Sequence, residues 1–227
     1  DSTYAVALQT MVYAMAEPEK DKLRIAANAD WLERAQIKPA DSVPWPGAWS
    51  YNLAKVGRRG DNSNTQYALL GLHAATEAGV NVKPEVWNLA RAYWENAQRA
   101  DGGWGYYHKS QDQLSTSSMT AAGISSLVIT GLRKFQGAEE IRGAAIQNCG
   151  KGGVNINLQR GIGWMASRFQ VGQNFPTGQS WRLYFLYGVE RAGRLGGVRF
   201  FGDHDWYREG AEALVHEQDK LSGSWKG

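Results

Sequence analysis

The chain has 227 residues, 43% of them hydrophobic and 21% charged, which is the balance of a globular protein long enough to bury a real core. Its net charge of +3 is small and its basic residues are scattered, with no run longer than Arg58-Arg59, which excludes the concentrated basic face that nucleic-acid binding needs. A single cysteine, Cys149, excludes an internal disulfide, and no apolar run is long enough to span a membrane.

In chain order, residues 5–15 form a first, largely apolar helix. A second, amphipathic helix carries Trp31-Leu32 and ends near Gln36, before a Pro-containing loop that leads to Gly47-Ala48-Trp49. Residues 65–76 are again apolar nearly all round, the pattern of a buried helix. Val86, Ala90, Tyr93 and Ala97 then recur at helical spacing on one face, with Pro84 at the start, Gln98 at the end and Gly102-Gly103-Trp104 behind. Residues 119–129 repeat the buried pattern, and an outer helix is expected at about 154–169 around Trp164-Met165. Residues 181–189 give a fourth buried helix. The last amphipathic helix carries Leu214-Val215 and ends at Gln218, followed by Gly223-Ser224-Trp225.

The order is therefore buried helix, amphipathic helix, turn, four times over, with pairs starting near residues 3, 64, 117 and 179. Three of the turns hold Gln and then Gly and Trp, and Trp31, Tyr93 and Ala213 all stand five positions before their Gln; the third pair is irregular, its outer helix preceded by the Gly-rich stretch Gly150–Gly153. Gly71, Gly123 and Gly188 lie inside buried helices, where glycine costs about 1 kcal/mol against alanine, so close helix packing is expected there. The ten Trp and ten Tyr point to a repeated structural motif or an aromatic-lined cavity.

These glutamine–tryptophan units resemble the repeats of squalene–hopene and oxidosqualene cyclases and of the wider prenyltransferase-repeat family. The resemblance implies an all-α fold, an α/α toroid of inner and outer helices, as one domain over residues 1–227 with about four helix hairpins. It implies a structural role for Gln98, Trp104, Gln218 and Trp225, with Trp104 and Trp225 lying against outer-helix ends. Because the chain opens without Met and stops directly after a motif, an incomplete ring and an absent native N-terminus are expected, and localisation is left open.

Proton-initiated cyclases of this family carry Asp-x-Asp-Asp-Thr at the start of an inner helix, and the middle Asp is the acid. The best match is Asp61-Asn62-Ser63-Asn64-Thr65, in which Ser63 and Asn64 replace the two later acids, and neither can donate a proton at neutral pH. Asp61 is thus the one weak catalytic candidate. The simpler reading of the stretch is a helix start, with Ser63 and Gln66 as a capping box.

Gly202-Asp203-His204-Asp205-Trp206 has the residue types of a metal site, but it precedes an amphipathic helix, where Asp serves as a cap. Asp112 and Ser115–Ser118 read the same way. Cys149 lacks the neighbours of a prenyltransferase zinc site, with Gln147 where an Asp would stand, and it lacks the Cys-Gly-Glu-Gln of a thioester domain. No metal or other cofactor is expected.

Tyr67, Met119, Trp181, Tyr184 and Tyr187 sit on the expected inner helices. They are read as core or, following the resemblance, as the lining of a central pocket for an isoprenoid or other hydrophobic small molecule. Three functions stay open: a cyclase-like binding module with a degraded acid motif, an active terpene cyclase whose acid lies elsewhere, and a helical protein-interaction scaffold. Peripheral membrane contact fits any of them.

Overall fold

The computed structural model describes residues 2–53, 59–109, 114–135, 140–142, 145–147 and 154–225. The fold is all-α. Its helices are α1 (Thr3–Ala16), α2 (Lys22–Ala35), α3 (Asn62–Glu77), α4 (Pro84–Ala97), α5 (Ser117–Phe135), α6 (Ile156–Ala166), α7 (Arg182–Gly196) and α8 (Trp206–Glu217). The described strands form two small antiparallel pairs: β1 (Glu140–Arg142) with β2 (Ala145–Gln147), and β3 (Phe200–Phe201) with β4 (His204–Asp205). Asp112, Cys149 and residues 150–153 lie outside the described residues.

The helix starts follow local chemistry. Ser2 caps α1 by accepting from the Ala5 N–H at 3.3 Å. Pro84 occupies the first position of α4, where a missing N–H costs nothing. Asp205 caps α8 by accepting from Arg208 N–H at 3.2 Å.

The chain divides into two compact units. The first comprises residues 1–96 and 129–155, and within it α1 packs on α2 and α3. A Cβ on Gly71 would lie 2.9 Å from Ala7 Cα, so the glycine in α3 is what lets α1 approach. The second unit comprises residues 97–128 and 156–227. Its core gathers Ile124, Met165, Phe169, Phe185, Val189, Phe201 and Trp206.

Full burial belongs to α3 and to the first part of α5, not to every apolar helix. In α1 the stripe Thr3, Val6, Ala7 and Thr10 is buried while Met15 is 85% exposed, because the helix covers only the face that meets α2 and α3. Helix α7 is likewise one-sided, burying Phe185, Val189 and Ala192.

Each unit contains the same backbone device. In the first, Asp61 N–H donates to Trp49 C=O at 3.0 Å and Trp49 N–H donates to the Thr65 hydroxyl at 3.0 Å. In the second, Thr116 N–H donates to Trp104 C=O at 2.9 Å and Trp104 N–H donates to the Thr120 hydroxyl at 3.2 Å. The Gln side chains recur as well. Gln36 Nε2 donates to Gly47 C=O at 3.4 Å and to Val86 C=O, in the first turn of α4, at 3.0 Å. Gln98 Nε2 donates to Gly102 C=O at 2.8 Å and to Asn157 C=O, in the first turn of α6, at 2.7 Å. One amide thus ties a turn to the first turn of a later helix, α4 or α6.

Candidate functional site

The start of α3 is built almost wholly from buried polar groups. Asp61 is 2% exposed, and Asn62, Ser63, Asn64, Thr65 and Gln66 are buried with it. Burying so many polar groups is costly unless each finds a partner. Asp61 is the N-cap of the helix: Oδ1 accepts from Asn64 N–H at 2.8 Å, and Oδ2 accepts from Asn64 Nδ2 at 2.9 Å. The expected capping residue, Ser63, lies inside the helix instead. The cap falls to Asp61 because its own residue is the last with extended backbone, φ −132° and ψ 159°.

Two distant tyrosines complete the cluster. The Tyr4 and Ser63 hydroxyls share a hydrogen bond, and the Tyr93 hydroxyl donates to Asn62 Oδ1 at 2.7 Å. Burial, and secondarily the charge of Asp61, push the Tyr93 hydroxyl far above the usual tyrosine range, against the opposing influence of Arg59. Tyr93 therefore stays a neutral donor. The Tyr4 ring stands 4.5 Å from Tyr67 and 6.2 Å from Tyr51, giving an aromatic group beside the polar one.

Both oxygens of Asp61 accept from Asn64, Oδ1 from its backbone N–H and Oδ2 from its side-chain amide. The hydroxyl of Ser63 is engaged by Tyr4. The arrangement ties the start of α3 to α1 and α4 through hydroxyl groups and sets aromatic rings beside it.

The five aromatic and apolar candidates are placed unevenly. Tyr67, in the first unit, is buried beside Tyr4. Met119, in the second, is buried in the first turn of α5, and its N–H donates to the Thr116 hydroxyl at 3.1 Å. That bond makes Met119 the counterpart of Asn64. Tyr184 and Tyr187 are half-buried on α7, and the Arg191 guanidinium lies 5.4 Å from the Tyr187 ring centre. Trp181 is 77% exposed and precedes α7 with φ +61°, so it stands outside the helix that was expected to contain it.

Tyr4 was not singled out by sequence, and Asn62 and Tyr93 were read only as members of the Asp61–Thr65 stretch and of the Gln98 repeat. A recurrence was also missed: Trp49, Asp61 and Thr65 return as Trp104, Thr116 and Thr120, each 55 positions later.

A separate cleft of about 610 Å³ opens in the second unit, lined by Arg99, Asp101, Lys109, Leu114, Ser115 and Arg160 among others. Most of its lining residues are polar or charged by type, although their carbon stems supply much of the wall. Asp101 accepts from Trp164 Nε1 at 2.9 Å, from the Ser115 hydroxyl at 2.8 Å and from Gly103 N–H at 3.1 Å. Burial raises its carboxyl, and these bonds outweigh that and hold it below the usual range. Among the described residues no cluster of His, Cys, Asp and Glu is grouped to hold a metal ion, and no helix is long and apolar enough to cross a membrane.

No family model and no curated protein matches the chain. Two solved structures are similar, both of the type II terpene cyclase MstE from Scytonema. An aspartate-to-alanine variant in complex with its product, merosterolic acid A, is 15% identical over 99% of this chain and 72% of that one, with a TM-score of 0.41. An apo tyrosine-to-phenylalanine variant is 16% identical over 98% and 70%, also at 0.41.

Proposed function

We propose that the chain is a squalene-cyclase or prenyltransferase-repeat domain that binds an isoprenoid or another long apolar ligand and does not protonate it. The observation that carries this reading is the start of α3. The position of the family's acid is taken by Ser63, whose hydroxyl is held by Tyr4, and Asn64 is held by Asp61. The repeated Gln, Gly and Trp turns support the family, and the Tyr4, Tyr51 and Tyr67 rings offer the ligand an aromatic wall. Protonating an alkene needs a strong acid facing a dry pocket, a role that does not suit an Asp with one oxygen capping a helix and the other held by the Asn64 side chain.

Titrating the protein with squalene or geranylgeraniol, followed by tryptophan fluorescence, tests the binding. Saturable quenching that weakens when Tyr67 is replaced by Ser is the expected result. No saturable signal with either lipid would leave the domain as a scaffold.

A further inference from the structure

The cleft of the second unit gathers charges of both signs in unequal number. Arg99, Lys109 and Arg160 line it, and Asp101 is the one carboxylate among its described lining residues. Two positive charges are therefore left over. The Asp101 oxygens are engaged by neutral donors: Gly103 N–H and the Ser115 hydroxyl on Oδ1, and the Trp164 indole N–H on Oδ2. Arg168 adds a further cation near the same carboxylate.

Elsewhere exposed cations meet carboxylates. Arg24, Arg34, Arg194 and Arg208 each have one within 3.1 Å. Among the described residues neither Lys109 nor Arg160 does. Arg160 is braced by the backbone instead: its Nη2 donates to the Ala100 carbonyl at 2.8 Å and to the Arg99 carbonyl at 3.3 Å. Those bonds fix the guanidinium across the Gln98 turn, while its Nε and Nη1 meet no protein acceptor among the described residues. The N–H groups of Ala100 and Asp101, in the same turn, meet none there either. Positioned cations and unused backbone donors around one concave surface are the chemistry of an anion site.

The cleft is too large for a bare inorganic ion alone. Its volume of about 610 Å³ falls within the range of about 300–1,000 Å³ that small-molecule sites occupy. The carbon stems of Arg99, Lys109 and Arg160, together with Leu114, which is 69% exposed, give the rest of the cleft an apolar wall. We propose that it binds a small organic phosphate monoester, with the phosphate on Arg160 and Lys109 and the organic part against Leu114. A monoester carries about −1.5 to −2 charge at pH 7, which matches the surplus. The guanidinium fork suits two phosphate oxygens at once, and Lys109 acts as a point charge. The proposal uses residues of the second unit alone and does not rest on the isoprenoid reading.

Isothermal titration calorimetry at low salt with phenyl phosphate, inorganic phosphate and benzyl alcohol tests it. Phenyl phosphate is expected to bind saturably, inorganic phosphate more weakly, and benzyl alcohol without measurable heat. Lys109→Gln removes an exposed cation, and Arg160→Lys keeps the charge but loses the fork. Each should weaken phenyl phosphate by about tenfold or more, the effect of losing one charge-assisted bond. Unchanged helical circular dichroism will verify that both variants are folded. Lys22→Gln, at an exposed position on α2, lowers the net charge as much as Lys109→Gln and should leave the affinity within about twofold. Absence of saturable phenyl phosphate binding to the wild type would overturn the proposal. So would wild-type affinity in both cleft variants, or a loss in Lys22→Gln as large as in Lys109→Gln, the sign of attraction by overall charge only.

Discussion

The six-membered ring of Trp104 fills the space that a side chain on Gly123 would need: an added Cβ would lie 2.5 Å from Cδ2 and 2.6 Å from Cε3 of the indole. On the other side a Cβ on Gly161 would lie 2.7 Å from Cζ3, so two glycines on α5 and α6 form the slot that holds the ring. Gly123→Ala gains up to about 1 kcal/mol of helix propensity but overpacks the slot at a cost of about 1–3 kcal/mol or more. A net loss is expected in urea titration. Gly163→Ala, in open space on α6, should instead stabilise by about 0.4–1 kcal/mol.

Trp104 and Trp225 should differ widely when removed. Trp104 is fully buried, so Trp104→Ala should cost about 3–5 kcal/mol. Trp225 is 42% exposed, and Trp225→Ala should cost less than half as much. Equal losses in denaturant titration would contradict the difference in covering that separates the two turns.

The glutamines should follow the same order. Gln98→Ala removes two donated bonds at a buried position and leaves Gly102 and Asn157 carbonyls short of a donor, a loss of about 1–3 kcal/mol. Gln218 is exposed and donates one bond among the described residues, so Gln218→Ala should fall within about 0.5 kcal/mol of wild type.

The helix order was legible in the sequence because 3.6-residue periodicity is local. Pairs expected near 3, 64, 117 and 179 correspond to helices beginning at Thr3, Asn62, Ser117 and Arg182. The third outer helix, expected at about 154–169, is Ile156–Ala166. What could not be read is what distant contacts decide. Tyr4 meets Ser63 across 59 positions and Tyr93 meets Asn62 across 31, and no window of sequence contains both partners. Asp61 and Ser63 are both good caps by type, and only the backbone angles choose between them. Trp181 was misplaced because its apolar neighbours continue the helical pattern, while its left-handed backbone puts it outside the helix.

His73 makes the pH dependence predictable. Burial, and then the Arg133 cation, hold it below the usual histidine range, with Glu77 opposing. Its Nδ1 lies 2.7 Å from Arg133 Nη2, an arrangement that requires the neutral ring. As pH falls below about 6.5 the unfolded chain takes up a proton that the folded chain resists, so stability falls. Urea midpoints between pH 7 and pH 5 should therefore drop for wild type, and drop less for His73→Gln, which keeps an acceptor but does not titrate. Parallel curves would remove His73 from the account.

The most direct test of the central claim is the product of incubation with squalene. The purified chain is mixed with the lipid, extracted and examined by mass spectrometry alongside a fluorescent apolar probe that reports binding. With both oxygens of Asp61 bonded to Asn64, the proposed binding domain is expected to bind the probe and return squalene unchanged. A cyclised triterpene that disappears in Asp61→Asn would contradict the account, because it would show that Asp61 delivers the proton.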